Sequence, residues 1–206
     1  MSAADFWNQR FAHPTYQYGT QPNAFLVEQA ACIPPGARVL VPGDGEGRNG
    51  VWLAEQGMQV TSVDCSCAGL DKARALAAQR GVVLDTVQAD LAQWVPPAGC
   101  ADAVAMLYLH LSPELRPHVM RNLVHALRPE GVLLVEAFHT RQLGLPSGGP
   151  RDAAMLYTLD MLRSDVQHCG VGGQELLAWE GSVVLDEGPC HQGPAQVVRW
   201  IWRKTA

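Results

Sequence analysis

Val39-Leu-Val-Pro-Gly-Asp-Gly-Glu-Gly-Arg-Asn-Gly50 decides how the rest of the 206-residue chain reads. An apolar run over Arg38–Pro42 ends in glycines at 43, 45 and 47, and helix-compatible spacing of Val51, Trp52 and Ala54 follows. The spacing predicts strand, loop, helix. Glycine at such a turn tolerates positive dihedrals and lets a ligand approach the backbone, while the helix start offers unpaired N–H groups. A nucleotide-like ligand fits that loop.

Outward from it, strand and helix keep alternating. Gln59–Val63 is a second strand closed by Asp64, and Ser66 caps an Ala- and Leu-rich helix that stops at Gly81. Leu84–Val87 is a third strand. Ala101–Leu109 is nearly all apolar, as expected of a central parallel strand covered on both faces. Ser112-Pro113-Glu114 reads as the start of a helix ending near Arg128-Pro129, and Val132–Ala137 as a fifth strand. Residues 144–150 read as a loop and Ala153–Leu162 as helix. Gln174–Asp186 and Gln196–Arg203 read as a hairpin, since their connector is too short for a crossover helix. The tryptophans at 179, 200 and 202 are expected to pack against helices.

Composition narrows the function. With 48% hydrophobic and 17% charged residues, residues 1–206 suit one domain, with residues 1–30 as a helical lid segment within it. A formal net charge of -5 argues against a nucleic-acid surface, which needs clustered Lys and Arg, and points to a small-molecule substrate. The absence of a long apolar run, and of an apolar stretch in Met1–Arg10, predicts no membrane association and a cytoplasmic protein; a monomer or homodimer is expected. Six cysteines without Cys-x-x-Cys spacing are expected to be reduced, with Cys65 and Cys67 serving packing. His118 and His125 lie seven apart, a spacing unsuited to shared metal ligation, so no metal is expected.

Gly45-x-Gly47-x-x-Gly50 also matches the dinucleotide fingerprint, with Asp64 at a suitable distance for ribose hydroxyls, so the loop alone leaves the cofactor open. The whole order of elements, together with Leu127-Arg-Pro-Glu-Gly131 before the fifth strand and the terminal hairpin, resembles class I S-adenosylmethionine-dependent methyltransferases. Tyr16-x-Tyr18-Gly19-Thr-x-Pro-Asn23, Gly47-Arg-Asn49, Gly148-Gly-Pro150 and Asp186-Glu-Gly188 with His191-Gln-Gly193 resemble more narrowly the tellurite-resistance (TehB-like) and thiopurine-methyltransferase-like branch. The resemblance implies a Rossmann-like α/β fold with a seven-stranded, mostly parallel sheet, helices on both faces and an antiparallel C-terminal hairpin. It implies S-adenosylmethionine as cofactor, leaving as S-adenosylhomocysteine, and a soft thiol, selenium or tellurium acceptor.

On this resemblance Asp64 holds the ribose and Asp90-Leu91 flank adenine. The remaining cofactor residues are Gly43, Asp44, Gly45, Glu46, Gly47, Arg48, Asn49, Cys65 and Tyr108. Val41 and Asp44 depart from the family's usual acid and cysteine in the loop, so Asp44 or Glu46 either takes the ligand's ammonium or is a solvated loop acid. Ligands in open α/β sheets gather beyond the carboxyl ends of the strands. That nominates Tyr108, His110, Phe138 and His139, with His110 as the candidate proton acceptor; Tyr16 and Tyr18 on the covering N-terminal segment, and Arg141 and His191 on neighbouring loops, are the further candidate substrate contacts. A nicotinamide-dependent oxidoreductase and a non-catalytic S-adenosylmethionine-binding protein stay open beside this reading.

Overall fold

The computed structural model of the chain describes residues 2–205. Helices α1 (Ala3–Phe11) and α2 (Ala24–Gln29) precede the alternating core of β1 (Arg38–Pro42), α3 (Arg48–Glu55), β2 (Gln59–Asp64), α4 (Cys67–Arg80), β3 (Asp85–Gln88), β4 (Ala101–Leu107), α5 (Arg116–Ala126) and β5 (Leu127–Phe138). Helix α6 (Leu159–Gln167) then leads to the hairpin of β6 (Gly173–Asp186) and β7 (Gln192–Lys204). The seven strands lie in the order β3-β2-β1-β4-β5-β7-β6. Every pairing from β3 to β5 is parallel, and β7 runs antiparallel to both of its neighbours. The Rossmann-like α/β architecture expected from the sequence is the one observed.

Period-two burial explains the layers. In β4, Ala103, Ala105 and Leu107 pack with Phe25 and Leu26 of α2 and Leu53 of α3, while Val104 and Met106 face Val119, Met120 and Leu123 of α5 and Leu162 of α6. Both faces of the strand are therefore dry, which accounts for its unbroken apolar run. Trp200 and Trp202 join the α5–α6 side as expected. Trp179 does not pack against a helix: it is 40% exposed, with the Arg199 guanidinium 5.7 Å from its ring centroid.

Several boundaries move for physical reasons. Strand β4 stops at Leu107 because Tyr108 takes a left-handed φ of 52°. Ser112-Pro113-Glu114 forms a turn, closed by Arg116 N–H to the Ser112 carbonyl, and α5 starts at Arg116. Strand β5 extends back to Leu127, where residues 128–131 bulge out between the Ala101–Leu127 and Ala103–Val132 pairs. The helix expected over Ala153–Leu162 is broken. A short 3-10 turn covers Ala153–Met155, Tyr157 bridges His139, and α6 restarts after Thr158, whose hydroxyl accepts from Met161 N–H. Among the described residues no helix is long and apolar enough to cross a membrane. All six cysteines are free.

Candidate active site

The sheet order reverses between β1 and β4, where the following loops diverge and leave a crevice at the strands' carboxyl ends. A cavity of about 770 Å3 occupies that place, a size typical of small-molecule sites. Gly43, Gly45, Asp64, Asp90 and Leu91 line one end; Tyr108, Phe138, His191 and residues 148–152 line the other; Phe6, Trp7, Arg10 and Phe11 of α1 cover it. Helix α1 is held there by Asn8, whose side-chain carbonyl accepts from Ser66 Oγ at 2.8 Å and Ala68 N–H at 3.2 Å.

The loop glycines divide their work. Gly43 and Gly45 border the cavity, and a Cβ on Gly45 would stand 2.9 Å from the Phe11 ring. Gly47, with φ of 86°, begins α3 and does not line the cavity; a Cβ there would stand 2.5 Å from that of Ala73, so this glycine lets α3 meet α4. Its expected cofactor role is corrected to helix packing.

Asp64 is buried at the cavity wall. One of its oxygens accepts from Gly45 N–H at 2.9 Å and the other from Ser66 N–H at 2.8 Å, leaving lone pairs on each. Burial pushes its carboxyl up from the ordinary value, against these two bonds. Cys65 and the Asp90-Leu91 pair also line this end. Burial and the neighbouring Asp64 charge push the Cys65 thiol up to about 11, so it stays protonated.

Neither loop acid is solvated: both line the cavity, and each is also held by the protein. Asp44 accepts from Ser62 Oγ and from Gly50 N–H at 3.2 Å, with burial raising its pKa to about 6. Glu46 accepts from Gln17 N–H at 2.7 Å and pairs with Lys72 Nζ at 2.7 Å. The solvated-acid alternative gives way to burial: Asp44 ties the loop to β2 and α3, and Glu46 clasps the N-terminal segment.

Arg48 and Asn49 line the cavity but likewise point into the protein. Arg48 pairs with Glu187 at 2.7 Å, and Asn49 Oδ1 accepts from Asn23 N–H at 2.9 Å. Asn23 also donates to Glu136 and, at 3.1 Å, to Glu187, which further accepts from Ala24 N–H at 3.0 Å. Arg199 completes the cluster with its Nε 2.6 Å from Glu136. Glu136 is fully buried, and burial holds its carboxyl above the ordinary range despite Arg199. This network ties the N-terminal segment, α3, β5 and the β6–β7 turn together. Gly188 lets the turn approach: at φ of 94°, its Cβ would meet Gly19 N at 2.4 Å.

His110 differs from expectation. Nδ1 lies 2.7 Å from the Met155 carbonyl and Nε2 accepts from Phe138 N–H at 3.2 Å, so both nitrogens are spent on backbone and the neutral ring is fixed. Burial lowers its pKa to about 4. It lines the cavity as a brace between two loops, with no nitrogen left for a substrate proton.

His191 has the opposite character. Its ring is buried and packs 4.5 Å from Tyr108 and 4.7 Å from Tyr18 between centroids; its Nδ1 is buried with no partner within hydrogen-bond distance, the nearest carboxylate being Glu187 Oε2 at 4.0 Å. Burial lowers its pKa, with Glu187 opposing. The Tyr108 hydroxyl beside it is also buried without a partner. Tyr18 and Phe138 complete this wall.

Three expected substrate contacts lie elsewhere. Tyr16 donates to the Lys72 carbonyl at 3.1 Å on the outside of α4. His139 turns to Glu180 at 3.4 Å, and Arg141 is exposed; none of the three lines the cavity. Arg10, Phe11 and Glu136 belong to the site or its supporting network without lying in any of the motifs that mark it in the sequence. The aromatic spacing of Phe6, Trp7 and Phe11 is the local signal that marks a covering helix.

Residues 39–131, from the glycine loop to the start of the apolar part of β5, match a protein family described as a methyltransferase domain. The fold extends that likeness over the whole chain. A structure solved for the conversion of a disulfide bond into a thioacetal group during echinomycin biosynthesis is similar over 99% of this chain and 93% of its own, at TM-score 0.76 and 18% identity. TehB from Haemophilus influenzae is similar over 98% and 67%, at TM-score 0.70 and 18% identity. A TehB-like SAM-dependent methyltransferase from Corynebacterium glutamicum is similar over 98% and 96%, at TM-score 0.62 and 21% identity. No curated protein matches the sequence.

Proposed function

We propose that this methyltransferase uses S-adenosylmethionine and methylates a small molecule at a soft nucleophile, a thiol or a selenium or tellurium species, as its resemblance to the TehB and thiopurine-methyltransferase branch implies. One observation carries the reading: a single cavity joins Gly43, Gly45, Asp64 and Asp90-Leu91 at one end to an aromatic wall with two unpartnered polar groups at the other. The donor end fits the cofactor. Asp64 keeps lone pairs for ribose hydroxyls, the glycines admit close approach, and Asp90 and Leu91, at the same end of the cavity, would flank the adenine as the resemblance implies.

Bound S-adenosylmethionine supplies a methyl group already activated on a sulfonium. The chain's task is then to hold the acceptor in line and exclude water. Helix α1 covers the cavity, and Tyr108, Phe138 and Tyr18 wall the acceptor end. His191 takes the acceptor's proton in this reading, because its ring is neutral at pH 7 and unspent on the fold. Glu187, fixed by Arg48, Asn23 and Ala24, is its positioning residue and favours the imidazolium that forms.

Calorimetric titration with S-adenosylhomocysteine, with NADH in parallel, tests the cofactor. Micromolar binding of the first alone is expected; binding of NADH instead revives the nicotinamide reading. Transfer of labelled methyl to any member of a thiol, selenite and tellurite panel separates an enzyme from a non-catalytic binder.

A further inference from the structure

Arg10 stands out among the charged groups of the cavity. Its Nε is buried without a hydrogen-bond partner, and its one polar contact is from a terminal nitrogen to the Cys190 thiol at 3.3 Å. No described carboxylate pairs with it, although the chain carries a net charge of -5. Its guanidinium carbon lies 5.5 Å from the Tyr18 ring centroid and 6.0 Å from that of Trp7, which holds the plane between two aromatic faces. A half-buried cation with unspent donors and no counter-charge is suited to a ligand that brings one.

Arg10 also stands where the cavity continues outward. A second groove of about 610 Å3 shares Arg10, Gly148, Gly149, Pro150 and Arg151 with it and runs along Leu143 and Leu145. These two leucines are 50% and 38% exposed. Arg151 brings a second cation to the junction, and the nearby Asp152 is engaged in accepting from Ala154 N–H at 2.9 Å. A groove that carries two exposed leucines among Gln142, glycines and prolines, with cations at its junction with the cavity, describes an elongated ligand more than a compact ion.

We infer that the methyl acceptor is an extended molecule bearing a carboxylate or similar anionic group, which Arg10 binds while the body of the molecule runs along Leu143 and Leu145. The inference rests on the proposed methyl-transfer reading and narrows its acceptor class, setting a compact oxyanion such as tellurite aside. The rival use of Arg10, holding the carboxylate of the donor's own amino-acid end, is separable by experiment.

The test titrates protein saturated with S-adenosylhomocysteine against para-mercaptobenzoate, thiophenol and tellurite. Para-mercaptobenzoate is expected to bind at least about tenfold more tightly than the other two, as one charge-assisted contact provides. Arg10→Gln should remove that preference and leave S-adenosylhomocysteine affinity within about twofold; Arg151→Gln, on an exposed loop, should reduce the preference by a smaller factor and serves if the first variant does not fold. Equal binding of the thiols, no binding of para-mercaptobenzoate, tightest binding of tellurite, or a loss of S-adenosylhomocysteine affinity in Arg10→Gln each overturns the inference. Failure of wild-type protein to bind S-adenosylhomocysteine instead overturns the methyl-transfer reading beneath it.

Discussion

The two ends of the cavity, proposed above to hold donor and acceptor, are built in different ways. The donor end is a stretch of consecutive strand ends, from Gly43 to Leu91, in which backbone and one carboxylate do the positioning. The acceptor end is assembled from Arg10, Tyr18, Tyr108, Phe138 and His191, brought together by the Asn23–Arg48–Glu136–Glu187 network. Local chain geometry makes the first; a buried polar cluster between distant segments makes the second. The second is therefore the more fragile, because a buried ion cluster destabilises strongly when one partner is removed.

Glu187→Ala gives the largest expected effect. It leaves Arg48 buried without its carboxylate and Asn23 and Ala24 without their acceptor, at a cost of about 3–5 kcal/mol in urea unfolding. Glu187→Gln, which keeps an acceptor but not the charge, should cost less and still slow methyl transfer through His191. Equal stability of Glu187→Ala and wild type would mean that the network does not hold the acceptor end.

The ends also titrate in opposite senses. His110 has its folded pKa depressed to about 4, so the unfolded chain takes up its proton first; stability is lost as pH falls from about 6.5 to 4, by about 3 kcal/mol. Asp44 has its folded pKa raised to about 6, so its contribution is present at low pH and lost as pH rises from about 4 through 6, by a similar amount. Relative to wild type, His110→Gln should therefore gain stability as pH falls through that window, and Asp44→Asn should gain as pH rises. Thermal melts across pH 4–8 check both signs. A flat difference for either variant would break the contrast.

At the level of chemistry, His191→Gln should lower kcat by about 100-fold with S-adenosylhomocysteine affinity kept, whereas His110→Gln should act chiefly through stability. Asp64→Asn should weaken S-adenosylhomocysteine about tenfold or more with kcat at saturating donor nearly unchanged. Wild-type kcat/KM should fall on the acid side only below the ordinary histidine range, because burial depresses the His191 pKa. A loss centred above pH 7 would assign the proton to another group.

The same division explains what the sequence revealed. Ser66 and Gly81 bound α4 where their capping chemistry says, and Asp64 ends β2, because strand, turn and cap are short-range events. The motifs Tyr16–Asn23, Gly47–Asn49 and Asp186–Gly188 were visible as words but not as one structure; their meeting point is the buried network. Local spacing also misjudged Ala153–Leu162, since Tyr157 is drawn out of the helix to bridge His139 and to accept from Leu111 N–H at 2.7 Å. The roles of the two histidines turn on whether backbone groups consume their nitrogens, and no spacing in the sequence encodes that.

Tyr16 provides the smallest effect and a check on how the cover is attached. Its hydroxyl donates to the Lys72 carbonyl at 3.1 Å, and Lys72 Nζ lies 5.2 Å from the ring centroid and 2.7 Å from Glu46. Tyr16→Phe removes the hydrogen bond alone and should cost about 1 kcal/mol or less, leaving kcat and acceptor affinity unchanged. Tyr16→Ala removes the stacked ring as well, and should loosen the N-terminal segment enough to raise its amide exchange while the parallel core keeps its protection. A large fall in acceptor affinity in Tyr16→Phe would place this hydroxyl at the substrate after all, with the segment turned inward from the position it holds on α4.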